Sequence, residues 1–129
     1  MDAQSYLDDI KIKITLCSVI KSVEIIDERV VISDRGYFRA VIKLINGDFV
    51  EISEYFTVEN GNIITNKYRY QWMDKNQQKL IKRWDNSYHF PNLPGFPHHV
   101  HIAKEDNVET SKVIGIIELI DIISKEIQT

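Results

Sequence analysis

A two-residue alternation of apolar and polar positions runs through the middle of the chain, and this is the pattern of β-strands with one buried face. It is clearest from Tyr37 to Ile45, where the apolar residues of one face are Phe38, Ala40, Ile42 and Leu44. Asn46-Gly47 follows, and this dipeptide is typical of a tight hairpin because both of its positions take positive φ. The pattern therefore predicts a strand that ends at Ile45 and pairs with a return strand from Phe49 to Val58.

Further strands are predicted on the same grounds, over residues 23–33, 63–73 and 78–85. Polar turn sequences separate the strands, at residues 34–36, 60–62 and 74–76. Successive strands joined by tight turns form an antiparallel meander, because parallel strands need long crossover connections. The middle of the chain is therefore predicted to form an antiparallel sheet of about five strands.

The N-terminal segment, residues 3–17, fits two patterns. Helical spacing is kept by Leu7, Ile10, Ile14 and Cys17. A strand-like alternation is kept by Ile10, Ile12, Ile14 and Leu16. We favour a helix, because the segment holds no turn residue and its first half is polar on the opposite side.

The C-terminal segment predicts a second helix. Residues 106–109 resemble a capping box, which marks a helix start. Apolar residues then repeat at helical spacing up to Thr129, at Val113, Ile116, Ile117, Ile120, Ile123 and Ile127. The predicted fold class is α+β, an antiparallel meander sheet of about five strands packed against N- and C-terminal helices.

Length and composition favour one domain over residues 1–129, because 43% of the residues are hydrophobic and 27% are charged. The net charge of −3 excludes a bulk polycation, so nucleic-acid binding would need a local basic patch. The single Cys17 excludes an internal disulfide and a cysteine-based zinc site. The chain has neither a signal-peptide pattern nor the ~18-residue apolar run of a membrane span, so we expect a cytoplasmic protein without membrane association.

The residues best suited to proton transfer or metal binding are concentrated in residues 83–102. This segment contains all four histidines: His89, His98, His99 and His101. In an extended segment His99 and His101 point to one face and His98 to the other. Two imidazoles on one face suit an acid/base pair that cleaves a phosphodiester. They also suit a metal site with His89 or Asp85 as a third ligand. A purely structural role, in which the rings bond to loop backbone, stays open.

Charged side chains on the predicted strands offer further candidates. Arg83 carries a planar fork suited to phosphate, although it could instead form a structural pair with Asp85. The strands are also basic, with Arg39, Lys67, Arg69, Lys79, Lys82 and Arg83. Aromatic residues alternate with these bases at Tyr68, Tyr70 and Trp72, which suits stacking of single-stranded nucleic acid. However, the alternation places these rings on the face opposite Lys67 and Arg69, which favours a place in the core.

Glu54 is a carboxylate on the otherwise apolar face of its strand. A buried carboxylate needs a partner, and Arg83 or Arg39 is the natural candidate. The alternative is that Glu54 lies in water at an end of the sheet.

Several motifs occur together in a characteristic order. They are Gly-x-x-Arg-Ala (Gly36, Arg39, Ala40), Asn-Gly (Asn46, Gly47), Ser-Glu-Tyr (Ser53, Glu54, Tyr55), Tyr-x-Tyr (Tyr68, Tyr70), Arg-x-Asp-Asn (Arg83, Asp85, Asn86) and Pro-His-His-x-His (Pro97, His98, His99, His101). Over residues 23–102 the chain thereby resembles the TumE-type toxins of prokaryotic toxin–antitoxin loci. The last two motifs are the specific part. The chain departs from the family pattern at residues 87–89, which read Ser-Tyr-His in place of Pro-His-His.

The resemblance implies a small toxin paired with a helix-turn-helix antitoxin, and most small toxins of such loci attack RNA or translation. We therefore expect a metal-independent ribonuclease with no cofactor and no bound metal. Its expected catalytic residues are His99 and His101 as acid and base, with Arg83 and Arg39 on the phosphate. Its expected substrate contacts are Tyr68, Tyr70, Asp85, Asn86, His89 and His98. The alternatives are a non-catalytic protein-binding module and a histidine-based metal-binding protein.

Overall fold

The structure is a computed structural model that describes residues 1–128, which form a single antiparallel sheet and two terminal helices. The elements in chain order are α1 (Ala3–Leu16), β1 (Ile20–Ile32), β2 (Arg35–Leu44), β3 (Phe49–Glu59), β4 (Asn62–Met73), β5 (Leu80–Asp85), β6 (His99–Ile102), β7 (Val108–Thr110) and α2 (Ile116–Gln128). Neither helix is long and apolar enough to cross a membrane.

The seven strands follow one another in the sheet in chain order, and each pairs antiparallel with the next. The predicted α+β meander is confirmed, with two more strands than expected. The additional strands are β6 and β7, which follow the long loop after β5. The predicted capping box at residues 106–109 is wrong, because β7 occupies Val108–Thr110 and α2 begins only at Ile116. The predicted end of this helix, Thr129, lies outside the described residues.

One face of the sheet carries the core, and we call it the helix face because α1 and α2 pack on it. Its buried side chains include Phe38, Ala40, Ile42, Val50, Ile52, Phe56, Tyr68, Tyr70, Trp72 and Trp84. The helices add Leu7, Ile10, Ile14, Leu119, Ile120 and Ile123. Ile12 and Leu16, which only the strand pattern would have buried, are exposed, so the helix prediction for this segment is confirmed.

The opposite face of the sheet, which we call the open face, carries the alternate residues of each strand. Lys67 and Arg69 lie there and are exposed, whereas Tyr68, Tyr70 and Trp72 are buried on the helix face. The alternation therefore assigned these aromatic side chains correctly to the core.

Glu54 is fully buried on the helix face, and its carboxylate joins four elements. Oε1 accepts hydrogen bonds from the Tyr6 hydroxyl of α1 at 2.8 Å and from the Ile116 N–H at the start of α2 at 3.2 Å. Oε2 accepts from the Thr65 hydroxyl of β4 at 2.6 Å. Burial raises the pKa of Glu54, and the three donors oppose that rise. Because the first N–H groups of a helix lack partners within it, this carboxylate caps α2 from a distant strand.

Arg39 and Arg83 were the predicted ion-pair partners of Glu54, and neither contacts it. Arg39 lies on the open face and pairs with Glu51 at 3.0 Å. Arg83 also lies there, and its guanidinium contacts Asp85 and Glu105. The prediction was wrong because Glu54 satisfies its oxygens with hydroxyl and backbone donors, which a charge-based search for partners does not consider.

We expect Glu54→Leu to lower the free energy of unfolding by about 2–4 kcal/mol, because the substitution keeps the volume but leaves buried donors without an acceptor. Tyr6→Phe removes one of these bonds and should cost about 1 kcal/mol. Chemical denaturation measures both. Glu59→Leu, at the exposed end of β3, is the control and should stay within about 0.5 kcal/mol of the wild type. Wild-type stability in Glu54→Leu would contradict this role.

Candidate functional site

Three buried polar side chains form a cluster on the open face where β5 meets β6: Asp85, His99 and His101. Asp85 is directly opposite His99 in the β5–β6 pairing, and Arg83 is directly opposite His101. Because side chains two residues apart share a face, the pairing brings the carboxylate and both imidazoles together. The exposed fractions are 6% for Asp85, 1% for His99 and 4% for His101.

The cluster is buried although no helix covers the open face. The cover is the proline-containing loop between β5 and β6. Within it, the Phe90 ring packs edge-on against His99 and His101, with ring centroids 4.9 and 5.9 Å apart. The two imidazoles also contact each other edge-on at 4.9 Å. The loop thereby keeps water from one side of the cluster and strengthens the electrostatic interactions within it.

Hydrogen bonds to backbone carbonyls set the orientation of both imidazoles. Nδ1 of His99 donates to the carbonyl of Pro97 at 2.9 Å, and Nδ1 of His101 donates to the carbonyl of Glu105 at 2.8 Å. A carbonyl can only accept, so Nδ1 carries a proton in each ring. Each Nε2 is therefore turned toward the Asp85 carboxylate, at 2.9 Å from Oδ1 for His99 and 3.7 Å from Oδ2 for His101.

Asp85 is ionised at neutral pH. Burial raises the pKa of this carboxyl, but the N–H and hydroxyl of Ser87 and the two nearby imidazoles outweigh it and hold the pKa below its ordinary value. The Ser87 N–H donates to Oδ1 at 3.1 Å and its hydroxyl donates at 2.8 Å. Burial also lowers the pKa of His101, and the Glu105 carbonyl and the Asp85 charge only partly oppose it.

Arg83 is held in place beside the cluster. Its Nε donates to Oδ2 of Asp85 at 3.3 Å, and its two terminal nitrogens donate to the carboxylate of Glu105. A structural pair with Asp85 was one of the two interpretations that the sequence left open, and this contact exists. The guanidinium also borders a cavity, although both of its carboxylate partners neutralise its charge there.

A cavity of about 540 Å³ opens beside the cluster, and we call it the cleft. Asp85 and His101 form part of its wall, whereas His99 lies behind them and does not line it. Three cationic side chains also line the cleft, and we call them its cationic rim: Lys67 and Arg69, which are exposed, and Arg83, which is half-buried. The loop contributes Asn86, Ser87, Tyr88 and His89. An ionised carboxylate and an imidazole thus lie at the base of a cationic rim, which suits a phosphate-bearing ligand.

Several residues expected at the site lie together at the cleft: Arg83, Asp85, Asn86, His89 and His101. The Asn86 side chain also ties the loop to β4, because it accepts from the Tyr68 N–H and donates to the Asn66 carbonyl. Tyr68 borders the cleft but is 2% exposed.

Other expected site residues lie elsewhere. Tyr70 is fully buried and donates its hydroxyl to the Ile114 carbonyl. His98 turns to the other side of its strand, where its ring stacks on Tyr68 with Nδ1 3.0 Å from the hydroxyl. Arg39 lies on β2, three strands from Asp85, so it is remote from the cleft.

Residues that the sequence did not single out for the site complete it. Lys67 and Arg69 were noted only as part of a basic strand, but the pairing of β4 with β5 sets Arg69 directly opposite Asp85. Ser87 and Phe90 belong to the loop, and Glu105 follows β6. Their roles depend on contacts between segments that are distant in the sequence. The one available signal was the alternation that places both Arg69 and Asp85 on the polar face of their strands.

The cluster has the donor set of a metal site as well as that of a proton-transfer site. One ligand atom from each of Asp85, His99 and His101 lies within 4.8 Å of the other two. Ligating histidines characteristically donate their second nitrogen to a carbonyl, as both do here. In addition, Nε2 of His99 is buried and has no hydrogen-bond partner among residues 1–128, since its approach to Asp85 lacks hydrogen-bond geometry.

Comparison with known proteins gives one match. The family model described as Toxin TumE matches residues 10–129, which is nearly the whole chain. No curated protein and no solved structure is significantly similar to the chain.

We expect Ser87→Ala to raise the pKa of Asp85 toward its ordinary value, because the substitution removes a hydroxyl that stabilises the carboxylate. Carbon-13 NMR titration of the side-chain carboxyls measures this pKa. Since the folded-state pKa lies below 3.8, the stabilisation from Asp85 is complete above that pH and is lost as the pH falls through the folded-state pKa. Ser22→Ala, on the exposed β1, is the control and should leave the titration unchanged. An unaltered pKa in Ser87→Ala would refute this assignment.

Proposed function

Because the chain belongs to the TumE toxin family, we propose that it is a ribonuclease that binds and cleaves RNA in the cleft. Membership of this family makes the chain the toxin component of a toxin–antitoxin system, which implies an antitoxin partner. We further propose that the antitoxin is a helix-turn-helix protein and that the toxin acts in the cytoplasm, where RNA is abundant.

The observation that carries this proposal is the charge arrangement of the cleft. Lys67, Arg69 and Arg83 line it in a protein whose net charge is −3, and of these only Arg83 is paired with carboxylates among the described residues, those of Asp85 and Glu105. Local cations of this kind attract the polyanionic backbone of nucleic acid even where the whole chain is acidic. At the base of the rim lie His101 and Asp85, which supply groups able to move protons.

We assign the general base to His101. Its Nδ1–H is committed to the Glu105 carbonyl, so Nε2 holds the lone pair, and the ring borders the cleft. Nε2 would take the proton of a ribose 2′-hydroxyl, the 2′-oxygen would form a bond to phosphorus, and the bond from phosphorus to the 5′-oxygen would break. The products are a cyclic phosphate and a chain with a free 5′-hydroxyl.

The leaving 5′-oxygen needs a proton, and we assign this role to His89 rather than to His99. His89 is exposed and lines the cleft, whereas His99 is 1% exposed and does not line it. His99 is then a positioning residue whose ring packs against Asp85. Arg83 and Arg69 would stabilise the charge that develops on the phosphate in the transition state.

A second candidate function is metal-dependent cleavage of the same bond. It is favoured by the buried Nε2 of His99, which has no hydrogen-bond partner among the described residues and faces the Asp85 carboxylate. A divalent cation bound by Asp85, His99 and His101 would use that nitrogen as a ligand. Two histidines and one carboxylate form a common catalytic donor set with open positions. Such a cation would activate water and polarise the phosphate.

We expect His101→Ala and His89→Ala to reduce RNA cleavage by the purified protein about 100- to 10,000-fold, because each loses one proton-transfer group. Expression of either variant should no longer arrest growth. His98→Asn is the matched control, because it removes a histidine of the same segment from the helix-face side and keeps a polar group near the Tyr68 hydroxyl. Full toxicity of both alanine variants would contradict the histidine mechanism.

Removal of metal separates the two candidates. Cleavage that continues at full rate after dialysis against a chelator supports proton transfer by the histidines. The second candidate is supported if cleavage stops after this dialysis and returns when Mn²⁺ or Zn²⁺ is added. It further requires that the wild-type protein contains stoichiometric metal and that His99→Ala does not. Intact RNA under both conditions would refute ribonuclease activity and favour a binding module that contacts the antitoxin through residues 86–102.

A further inference from the structure

A pair of tyrosines lies on the open face, away from the buried aromatic side chains of the core. Tyr37 of β2 and Tyr55 of β3 are directly opposite each other, with ring centroids 4.3 Å apart and planes inclined by 34°. Tyr55 is 44% exposed although it lies in the middle of its strand. Neither helix covers this face, so the rings are accessible from one side.

The strand register connects these tyrosines with the cleft. Tyr55 is directly opposite Lys67 of β4, and Lys67 lines the cleft. Residues that are directly opposite one another on successive strands form a row across the sheet. The next row on this face consists of Arg39 of β2, Ser53, Arg69 and Asp85. Neighbouring strands are about 4.8 Å apart, so β2 and β5 are separated by about 14 Å. Two adjacent rows therefore lead from the aromatic pair to the cluster.

The charges along these rows are mainly positive. Arg39, Lys67 and Arg69 are exposed, and the guanidinium of Arg29 lies 5.4 Å from the centre of the Tyr37 ring. Glu51 in the following row pairs with Arg39. Asp27, which is directly opposite Arg39 on β1, pairs with Arg29, so these two carboxylates neutralise part of this charge. The surface thus alternates cations with exposed aromatic rings and ends at the cationic rim of the cleft.

We propose that Tyr37 and Tyr55, together with Arg39, Lys67 and Arg69, bind single-stranded nucleic acid and direct it into the cleft. We call this surface the strand-binding track. The inference rests on the proposed function, because it supplies the path by which RNA reaches His101.

The chemistry of the track favours a single strand. Unpaired bases stack on aromatic side chains, while lysine and arginine contact the phosphates between them. A duplex keeps its bases stacked inside and offers no ring to the tyrosines. The track extends beyond the cleft by two strands, β3 and β2, so a ligand confined to the cleft would not reach Tyr37. Affinity should therefore rise with the length of the oligonucleotide.

Fluorescence anisotropy with labelled oligonucleotides tests the track. A 2′-O-methyl RNA octanucleotide is a suitable probe, because its blocked 2′-oxygen prevents cleavage during the measurement. We expect Tyr55→Ala to weaken its binding about tenfold or more, whereas Tyr55→Phe keeps a ring and binds like the wild type. A dinucleotide, which occupies only the cleft, should bind equally to all three proteins.

The basic residues give a second readout. Lys67→Ala should flatten the dependence of log affinity on log salt concentration by about 0.7, which is the contribution of one phosphate contact to a single strand. Lys125→Ala, on the exposed side of α2, is the matched control and should leave the slope unchanged. Circular dichroism confirms that each variant is folded. A DNA octanucleotide of the same sequence shows whether the track distinguishes the two sugars.

The outcomes separate the track from the ribonuclease proposal. Length-dependent binding that requires Tyr55, in a protein that never cleaves RNA, supports the track and refutes the nuclease. The opposite outcome is that the wild type cleaves RNA while Tyr55→Ala and Tyr37→Ala both bind the octanucleotide as the wild type does. This outcome refutes the track but agrees with the ribonuclease proposal. Loss of antitoxin binding in these variants, without any effect on the oligonucleotide, also refutes the track and assigns this face to a protein partner.

Discussion

The buried carboxylate of Glu54 is the interaction on which the arrangement of the helices depends. It accepts hydrogen bonds from Tyr6 of α1, Thr65 of β4 and the first N–H of α2 at Ile116. These segments are far apart in the chain, and a buried donor without an acceptor costs more than a hydrogen bond contributes. The carboxylate thereby holds both helices on one face of the sheet. The opposite face is left for polar side chains, and the cleft lies there.

The cleft depends on a second polar arrangement, in which the chain turns back on itself after β5. The loop and β6 bring His99 and His101 beside Asp85, and backbone carbonyls orient both rings toward the carboxylate. A buried anion of this kind requires compensation, which Ser87 and the imidazoles provide. The contacts that stabilise Asp85 in its buried position are therefore the same ones that hold it beside both imidazoles in this chain.

Local patterns predicted the elements but not the partners of particular side chains. Alternation assigned Tyr70 to the core and placed His99 and His101 on one face, and both assignments agree with the structure. The same alternation gave no reason to connect Tyr55 with Lys67, because these residues belong to different strands. The short strand β7 was mistaken for a helix cap, since three residues of strand carry too little pattern to compete with a capping motif.

The sequence by itself determined the antiparallel meander and the face on which each strand residue lies, and it favoured a helix at the N-terminus. These features follow from periodicity and turn chemistry, which act over a few neighbouring residues. Only the tertiary structure decided which residues face one another: Arg69 beside Asp85, Glu54 at the start of α2 and Phe90 over the imidazoles. The physical reason is that register and loop packing are set by the fit of the whole sheet and core, so a local pattern can identify a face but not a neighbour.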